Sequence, residues 1–404
     1  MNVEVRYRGN GGDLLVGKMS WTGGRVFFQY DADWRGLGLE LSPYVLPLSE
    51  DRAVAPRGNR FHGLYSLFSD SLPDWWGEKL MRRYLSASGR DWRALTPLDK
   101  LCFQGDRAMG ALAYEPDLRP GGEEEKLDVT ALADAATAAL AGGTEVVLEG
   151  LLRSGHSAGG AQPKVVLGMS EDGQTVVSGE GGLPEGFSHW LVKFDLEPVL
   201  EDGRVEVACG LAGQAAGIVM PEVRVLEDGA GRAHFAVRRF DRGSRGERRH
   251  VQTFAALSDT PVDEPIDYAD LLDLTRELTQ DHRQVVQLFR RAVFNVLLRN
   301  EDDHGKNHSF LMSREGEWTL APAYDLVQTG HPLGGGMRAC GVLGRMSEVG
   351  VENLKQLAVL HGVKEGQAII EEVRTTLGGM PDFCAQAGVS ERRMEELVQG
   401  MRLP

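Results

Sequence analysis

Four cysteines in 404 residues, none in a C-x-x-C pair, exclude a disulfide framework and a zinc ribbon. Cys102, Cys209, Cys340 and Cys384 read instead as reduced, buried thiols. Long apolar runs are missing too: none approaches the about 18–20 residues that span a bilayer. Residues 1–7 carry charges at Glu4 and Arg6 and lack a signal-peptide core, so a cytoplasmic chain without membrane contact is expected. No internal repeat occurs, and neither does a G-x-x-x-x-G-K-[ST] phosphate loop or an H-E-x-x-H metal helix. Cations are in deficit, 44 Lys and Arg against 59 Asp and Glu, for a formal net charge of −15. Such a chain is repelled by nucleic acid except through a local basic stripe. Arg238, Arg239, Arg242, Arg245, Arg248 and Arg249 form one, expected to be a solvated hairpin or loop.

What is present divides into two textures. Val3, Val5 and Tyr7 alternate, and Gly-rich turns at 9–12 and 23–24 separate further apolar segments, as in antiparallel hairpins. Leu72-Pro73-Asp74 looks like a helix start, followed at helical spacing by Trp76, Leu80, Met81 and Tyr84, with the Trp75-Trp76 pair read as packing. Residues 116–126 read as a linker, and 131–140 as an alanine-rich helix. Short β-type runs follow at 165–167, 190–192 and 235–237, interrupted by a helix over 206–216 that Gly217 stops. Beyond Asp241 the pattern turns helical, at 268–278, 283–298 and 351–377. A chain of this length needs about two or three packed units. A cleft between the α+β N-terminal half and the helical C-terminal half is the natural ligand site.

The strongest chemical signal is the loop Asn300-Glu301-Asp302-Asp303-His304-Gly305-Lys306-Asn307-His308, set between an apolar helix and the run Phe310-Leu311-Met312. Phosphoryl transfer needs a carboxylate to orient and deprotonate the attacking hydroxyl, and hard oxygens to hold magnesium. Asp302 and Asn307 stand five positions apart, the D-x-x-x-x-N spacing; Asp303 misses it by one, so Asp302 is assigned as the base. A second metal carboxylate is expected after another short strand, and Asp325 follows Trp318-Thr319-Leu320. His304 and His308 are four apart, but Gly305 and Asn307 between them do not favour a regular helix that would present both to zinc.

Upstream, Ser157-Ala158-Gly159-Gly160-Ala161-Gln162-Pro163-Lys164 precedes a strand, and its glycines allow close backbone approach to an anion. Taken alone it is also compatible with a plain hairpin turn. Lys193 lies among apolar strand residues, where an ammonium must snorkel or pair with an anion. Glu206 is a candidate partner, or else a charge complementing its helix dipole.

Together, S-x-x-G-A-Q-P-K at 157–164, Lys193, Arg239-Phe240-Asp241-Arg242, N-x-D-D-H-x-x-N at 300–307, A-Y-D at 323–325 and L-P-D-W-W-G at 72–77 resemble the HipA family of bacterial kinase toxins. The resemblance implies an α+β, two-lobed, protein-kinase-like fold with a mixed N-terminal lobe and an all-helical C-terminal lobe. It divides the chain at 1–118, 119–242 and 243–404: an N-terminal subdomain, the rest of the N-lobe, and a lobe carrying the catalytic loop. It implies ATP and Mg2+ as cofactors, Asp302 as base, and Asn307 with Asp325 on the metal. Gly159, Gly160, Ala161, Gln162, Lys164 and Lys193 would hold phosphates; Arg238, Arg239 and Phe240 would form the hinge against adenine, largely through backbone groups. His304 and Tyr324 complete its nucleotide contacts, and Ser157 matches an autophosphorylated serine. The implied partners are a protein acceptor such as an aminoacyl-tRNA synthetase and a small helix-turn-helix antitoxin of HipB type, through which alone the chain meets DNA. Arg238 stands where the family often has an acidic residue. The competing readings are a small-molecule kinase of aminoglycoside-phosphotransferase type and a non-catalytic corepressor module.

Overall fold

Strand β1 (Asn2–Tyr7) buries Val3, Val5 and Tyr7 and pairs antiparallel with both β2 (Leu14–Thr22) and β4 (Leu112–Glu115). β3 (Arg25–Tyr30) completes the sheet in the order β3-β2-β1-β4. Gly23 and Gly24, at φ +59° and +77°, make the β2–β3 turn that glycine alone adopts without cost. The computed structural model describes all residues except 57, 88, 119–126, 143–150, 152–161, 244–245, 330–335 and 404.

A second, five-stranded antiparallel sheet comprises β5 (Lys164–Ser170), β6 (Val176–Ser178), β7 (Phe187–Lys193), β8 (Val223–Glu227) and β9 (Ala233–Arg238), in the order β6-β5-β7-β9-β8. The two-residue period of a strand divides its side chains. Val165, Leu167, Trp190, Val192 and Ala236 pack against the helices Trp75–Ala87 and Val129–Ala141. Val166, Leu191, Phe235 and Val237 face the opposite way and line a cleft. The helix Asp202–Ala215 lies against β9 so closely that a Cβ on Gly203 would sit 2.1 Å from the Ala233 carbonyl oxygen. Trp75 and Trp76 part company: Trp76 is buried and donates its indole N–H to the Lys164 carbonyl at 3.0 Å, whereas Trp75 is 52 % exposed.

The C-terminal half centres on the helix His282–Leu298, buried from Val285 to Leu298 on its apolar stripe and surrounded by Tyr268–Thr279, Val351–Leu360 and Gly366–Gly378. Two expectations need correction. The helix expected over 351–377 is two helices, broken where Gly362 takes φ +67°. The half is also not all helical. β10 (His250–Thr253), β12 (Ser309–Met312) and β13 (Trp318–Leu320) form an antiparallel sheet, and β11 (Ile266–Asp267) pairs with β14 (Cys340–Gly341). These strands flank the 300–308 loop and fix where it leaves and re-enters the core. All four cysteines are buried and free. Among the described residues no helix is long and apolar enough to cross a membrane.

The arginine stripe is only partly the solvated hairpin or loop expected: Arg238 and Arg249 are exposed, and Arg245 lies outside the described residues, but the others turn inward. Arg239 and Arg242 both clamp Asp241, at 2.7 and 2.6 Å, with side chains only 11 % and 6 % exposed. Asp241 also accepts the Gly110 amide at 2.8 Å, and Arg248 pairs with Asp106 at 2.9 Å. The two arginines beside it hold the Asp241 carboxyl far below its usual range against the opposing pull of burial. Arg242 and Arg248, with Asp241, therefore tie the segment after β9 to residues 106–110.

Candidate active site

The helix His282–Leu298 ends where Arg299 turns left-handed at φ +68° and gives its amide to Asn295 O and Val296 O. The polar segment after it then folds through one short 3-10 turn, Gly305–Asn307. A Cβ on Gly305 would meet Ala255 Cβ at 3.2 Å, which explains glycine there. Asp302, His304 and Asn307 are half-buried and line one open groove together with Asp325 and Lys193. Asn307 donates its Nδ2 to the Asp302 carbonyl at 3.1 Å, which leaves its amide oxygen for the groove.

Asp303 faces the other way. It is fully buried and accepts from Tyr268 Oη (2.6 Å), Arg338 Nη2 (2.5 Å) and the Cys340 amide (3.2 Å). Both carboxylates lie in one motif, but only Asp302 reaches the groove. His308 is buried as well, and burial together with the Arg291 charge pushes its imidazole down to about 3.

Lys193 closes the opposite side. Its ammonium pairs with Glu206 Oε1 at 2.5 Å and also with Asp325 Oδ1. Burial opposes the ammonium charge, but Asp325 and Glu206 outweigh it and the lysine pKa is raised. In Glu206 burial dominates and pushes the carboxyl up, while Lys193 only partly offsets it. In Asp325 burial pulls the same way, but Lys193, with help from Lys164 and His304, holds the carboxyl low. Glu206 thus pairs with the lysine from inside its helix, rather than merely complementing the helix dipole.

The same three side chains form the floor of an apolar pocket. Val166, Leu191, Phe235 and Val237 come to it from the sheet, and Tyr324 and Leu326 from the C-terminal half. Phe240 and Tyr324 stack at its mouth with centroids 5.9 Å apart. An apolar lining of this character, between a sheet and an aromatic ring, suits a flat heteroaromatic ligand. The amides of Arg238 and Arg239 are already bonded to Glu222 O (2.9 Å) and His189 O (2.8 Å), which leaves Phe240 as the amide of this segment that can meet a base. The Arg238 side chain is exposed.

Lys164 lines the groove too, but its ammonium is already engaged. It stands opposite Lys193 across the β5–β7 ladder, yet its side chain is 1 % exposed and its ammonium pairs with Asp74 at 2.8 Å. An ammonium buried that deeply requires such a partner. Asp74 also caps the helix Trp75–Ala87 through the Gly77 amide, so the pair locks that helix to the sheet. Gln162 lines the groove and bonds the Phe194 carbonyl at 3.3 Å. Ser157, Gly159, Gly160 and Ala161 lie outside the described residues.

The donor set fits magnesium shared with a nucleotide. Asp325 and Asn307 offer hard oxygens to one groove. Among the described residues no group of three or more His, Cys, Asp and Glu could hold a metal by protein ligands alone. His304 Nδ1 is buried in the groove without a hydrogen-bond partner among the described residues, an orphan that a bound polar group would satisfy. Sequence reasoning missed Asn300, Asp303 and the apolar wall of Met220 and Leu326. Asn300 and Asp303 stood in the quoted motif, but their partners lie up to 37 residues away, beyond any local spacing signal.

A two-part α+β fold, with a strand lysine bridging a helix glutamate and a loop aspartate over a D-x-x-x-x-N loop, defines a protein-kinase-like architecture. The chain belongs to the HipA family: the model for the HipA-like C-terminal domain matches residues 156–398, and that for the HipA N-terminal domain matches 11–115. It is 27 % identical over 344 residues to the serine/threonine-protein kinase toxin HipA of Shewanella oneidensis, covering 78 % of this chain and 73 % of that one. It is 28 % identical over 153 residues to the putative kinase Y4dM of Sinorhizobium fredii, a match spanning 35 % of this chain and only 37 % of that protein. Among solved structures, the Shewanella oneidensis HipA–HipB–operator DNA complex aligns over 98 % of this chain and 96 % of the matched chain, with a TM-score of 0.68 at 18 % identity, which establishes a shared fold.

Proposed function

We propose that this chain is an ATP- and magnesium-dependent serine/threonine protein kinase acting in the cytoplasm as the toxin of a toxin–antitoxin pair. One observation carries the kinase reading: Lys193 bridges Glu206 and Asp325 in the groove that also holds Asp302 and Asn307. Magnesium–ATP, when bound, supplies the phosphoryl group and neutralises its charge. The apolar pocket takes the base, between the sheet residues Val166 and Leu191 and the C-terminal residues Tyr324 and Leu326. Asn307 and Asp325 would hold the metal, and Lys193 the phosphates, with Gly159, Gly160, Ala161 and Gln162 beside them. Asp302 orients the acceptor hydroxyl and takes its proton.

The acceptor is proposed to be a protein of the translation apparatus, an aminoacyl-tRNA synthetase by family resemblance, with Ser157 as the acceptor in autophosphorylation. A HipB-like antitoxin is the proposed partner, as in the Shewanella oneidensis complex.

The test is transfer from labelled ATP. Asp302→Ala is expected to keep the circular dichroism of the wild type and to lose about 10²–10⁴-fold in rate. Equal transfer by both proteins rejects Asp302 as base. Mass spectrometry after incubation with ATP should find phosphate on Ser157. Turnover of a small alcohol with Ser157 unmodified would favour a small-molecule kinase, and ATP binding without any transfer a non-catalytic module.

A further inference from the structure

Asn300 opens the catalytic motif and has no assigned role, yet its carboxamide touches both halves of the candidate chemistry. It follows the left-handed Arg299, is 2 % exposed, and gives its backbone amide to Asn295 O at 2.8 Å. Its Nδ2 donates to the Asp325 carbonyl at 3.0 Å and to Asn295 Oδ1 at 3.1 Å. Its Oδ1 accepts from the Asp302 amide at 3.4 Å and from Thr329 Oγ1 at 3.2 Å. Two donors and two acceptor sites are the whole capacity of a carboxamide, and all four are engaged. The partners also fix the orientation of the group: a backbone N–H must face its oxygen, and a backbone carbonyl its nitrogen.

We propose that Asn300 is a positioning residue whose side chain sets the separation between Asp302 and Asp325, and so between proton acceptor and metal carboxylate. The inference rests on the kinase reading and deepens it. Asp325 is held at φ +53°, a left-handed conformation that a non-glycine residue keeps only when its surroundings impose it. Its carbonyl is anchored by Asn300, while its carboxylate is drawn to Lys193. The loop 300–307 is in turn anchored from below, because Asn295 Nδ2 donates to Tyr268 Oη, which donates to Asp303. Only glutamine carries the same carboxamide, and its extra methylene moves the fork away from these four partners. Aspartate keeps the acceptors toward Asp302 and Thr329 but replaces both donors with oxygen, set against the Asp325 carbonyl and Asn295 Oδ1. Serine has one donor and too short a reach.

The experiment measures binding of a non-hydrolysable ATP analogue to the full chain by calorimetry, with magnesium and with chelator. For wild type, magnesium should raise the affinity. In Asn300→Asp that magnesium-dependent gain should shrink by about tenfold or more, as expected when a metal carboxylate loses its outer support. The affinity in chelator, set by the apolar pocket, should hold. Asn300→Ser, which adds no charge, should give the same pattern and is decisive should the aspartate variant fail to fold. Thr329→Val, which removes a partner touching neither carboxylate, should leave the gain intact. If wild type itself shows no magnesium-dependent gain, the kinase reading falls. If wild type shows it and the Asn300 variants match it, or lose both affinities in parallel, the positioning role is overturned.

Discussion

The two sides of the cleft share Lys193, Glu206 and Asp325 and otherwise have little in common. One side is an apolar pocket roofed by strand residues and floored by Tyr324 and Leu326; the other is an open polar groove edged by Asn300, Asp302, His304 and Asn307. The first holds a ligand by shape and excluded water, at about 25 cal/mol for each Å² of apolar surface covered, with the Phe240 amide as a polar contact. The second can act only on charge. The difference teaches that the ionic triad is a hinge between two recognition problems, and that mutations should separate them.

The largest separation is expected at Asp325. Asp325→Asn removes the proposed metal carboxylate and one of the two counter-charges of Lys193, while Glu206 keeps the lysine in place. Phosphate transfer should fall by about 10³-fold, the scale of losing a central electrostatic group in a dry site. Adenosine, which has no phosphates, should bind as before by calorimetry. A parallel collapse of adenosine binding would break the distinction between pocket and groove.

How much of this was legible beforehand follows the same divide. The groove side was readable because its chemistry is written in local spacing: Asp302 to Asn307, then Asp325 after a short strand. The strand lysine was readable because an ammonium among apolar residues demands a partner, and Glu206 proved to be that partner. The short β-type runs at 165–167, 190–192 and 235–237 marked the strands β5, β7 and β9. Long-range pairings were not readable. Nothing local marks Asp74, 90 residues before Lys164, as its counter-ion. Asp303 looked like a near miss because Arg338 lies 35 residues on. The arginine stripe looked solvated because the carboxylate that neutralises Arg239 and Arg242 is Asp241, whose burial depends on Gly110 docking from another part of the chain. In each case the sequence shows a charge and only the fold shows its partner.

Acid should probe the two sides through their histidines. His189 lies behind the pocket, its Nδ1 3.1 Å from the Gly179 carbonyl, and His308 lies beneath the groove. Burial lowers the first from its ordinary 6.5 to about 4, aided by Arg239 and Arg242. The second falls from 6.5 to about 3. Both folded values are depressed, so below pH 6.5 the unfolded chain binds protons that the native chain refuses. Stability should be full above pH 6.5 and fall as the pH drops toward 4 and then 3, by about 2–4 kcal/mol for each residue. Urea midpoints from pH 7 to pH 4 measure it. His308→Gln and His189→Gln should each flatten the decline by one residue's share, and an unaltered slope in either would remove that histidine from the account.

The smallest expected effect is at the mouth of the pocket. Phe240 stacks on Tyr324 and carries the amide left over for a base. Phe240→Leu keeps that amide and most of the apolar bulk but removes the aromatic face, a loss of about 0.5–1.5 kcal/mol. Nucleotide affinity should weaken by about three- to tenfold, with KM rising and kcat unchanged, because stacking on the base is the same before and during transfer. The magnesium-dependent part of binding should stay as in wild type. If kcat falls instead, Phe240 and Tyr324 act on the groove as well as the pocket, since Tyr324 donates its hydroxyl to the Lys306 carbonyl at 2.6 Å within the catalytic loop. The stack would then couple base recognition to the position of Asp302, and the two sides of the cleft would be one site read from two ends.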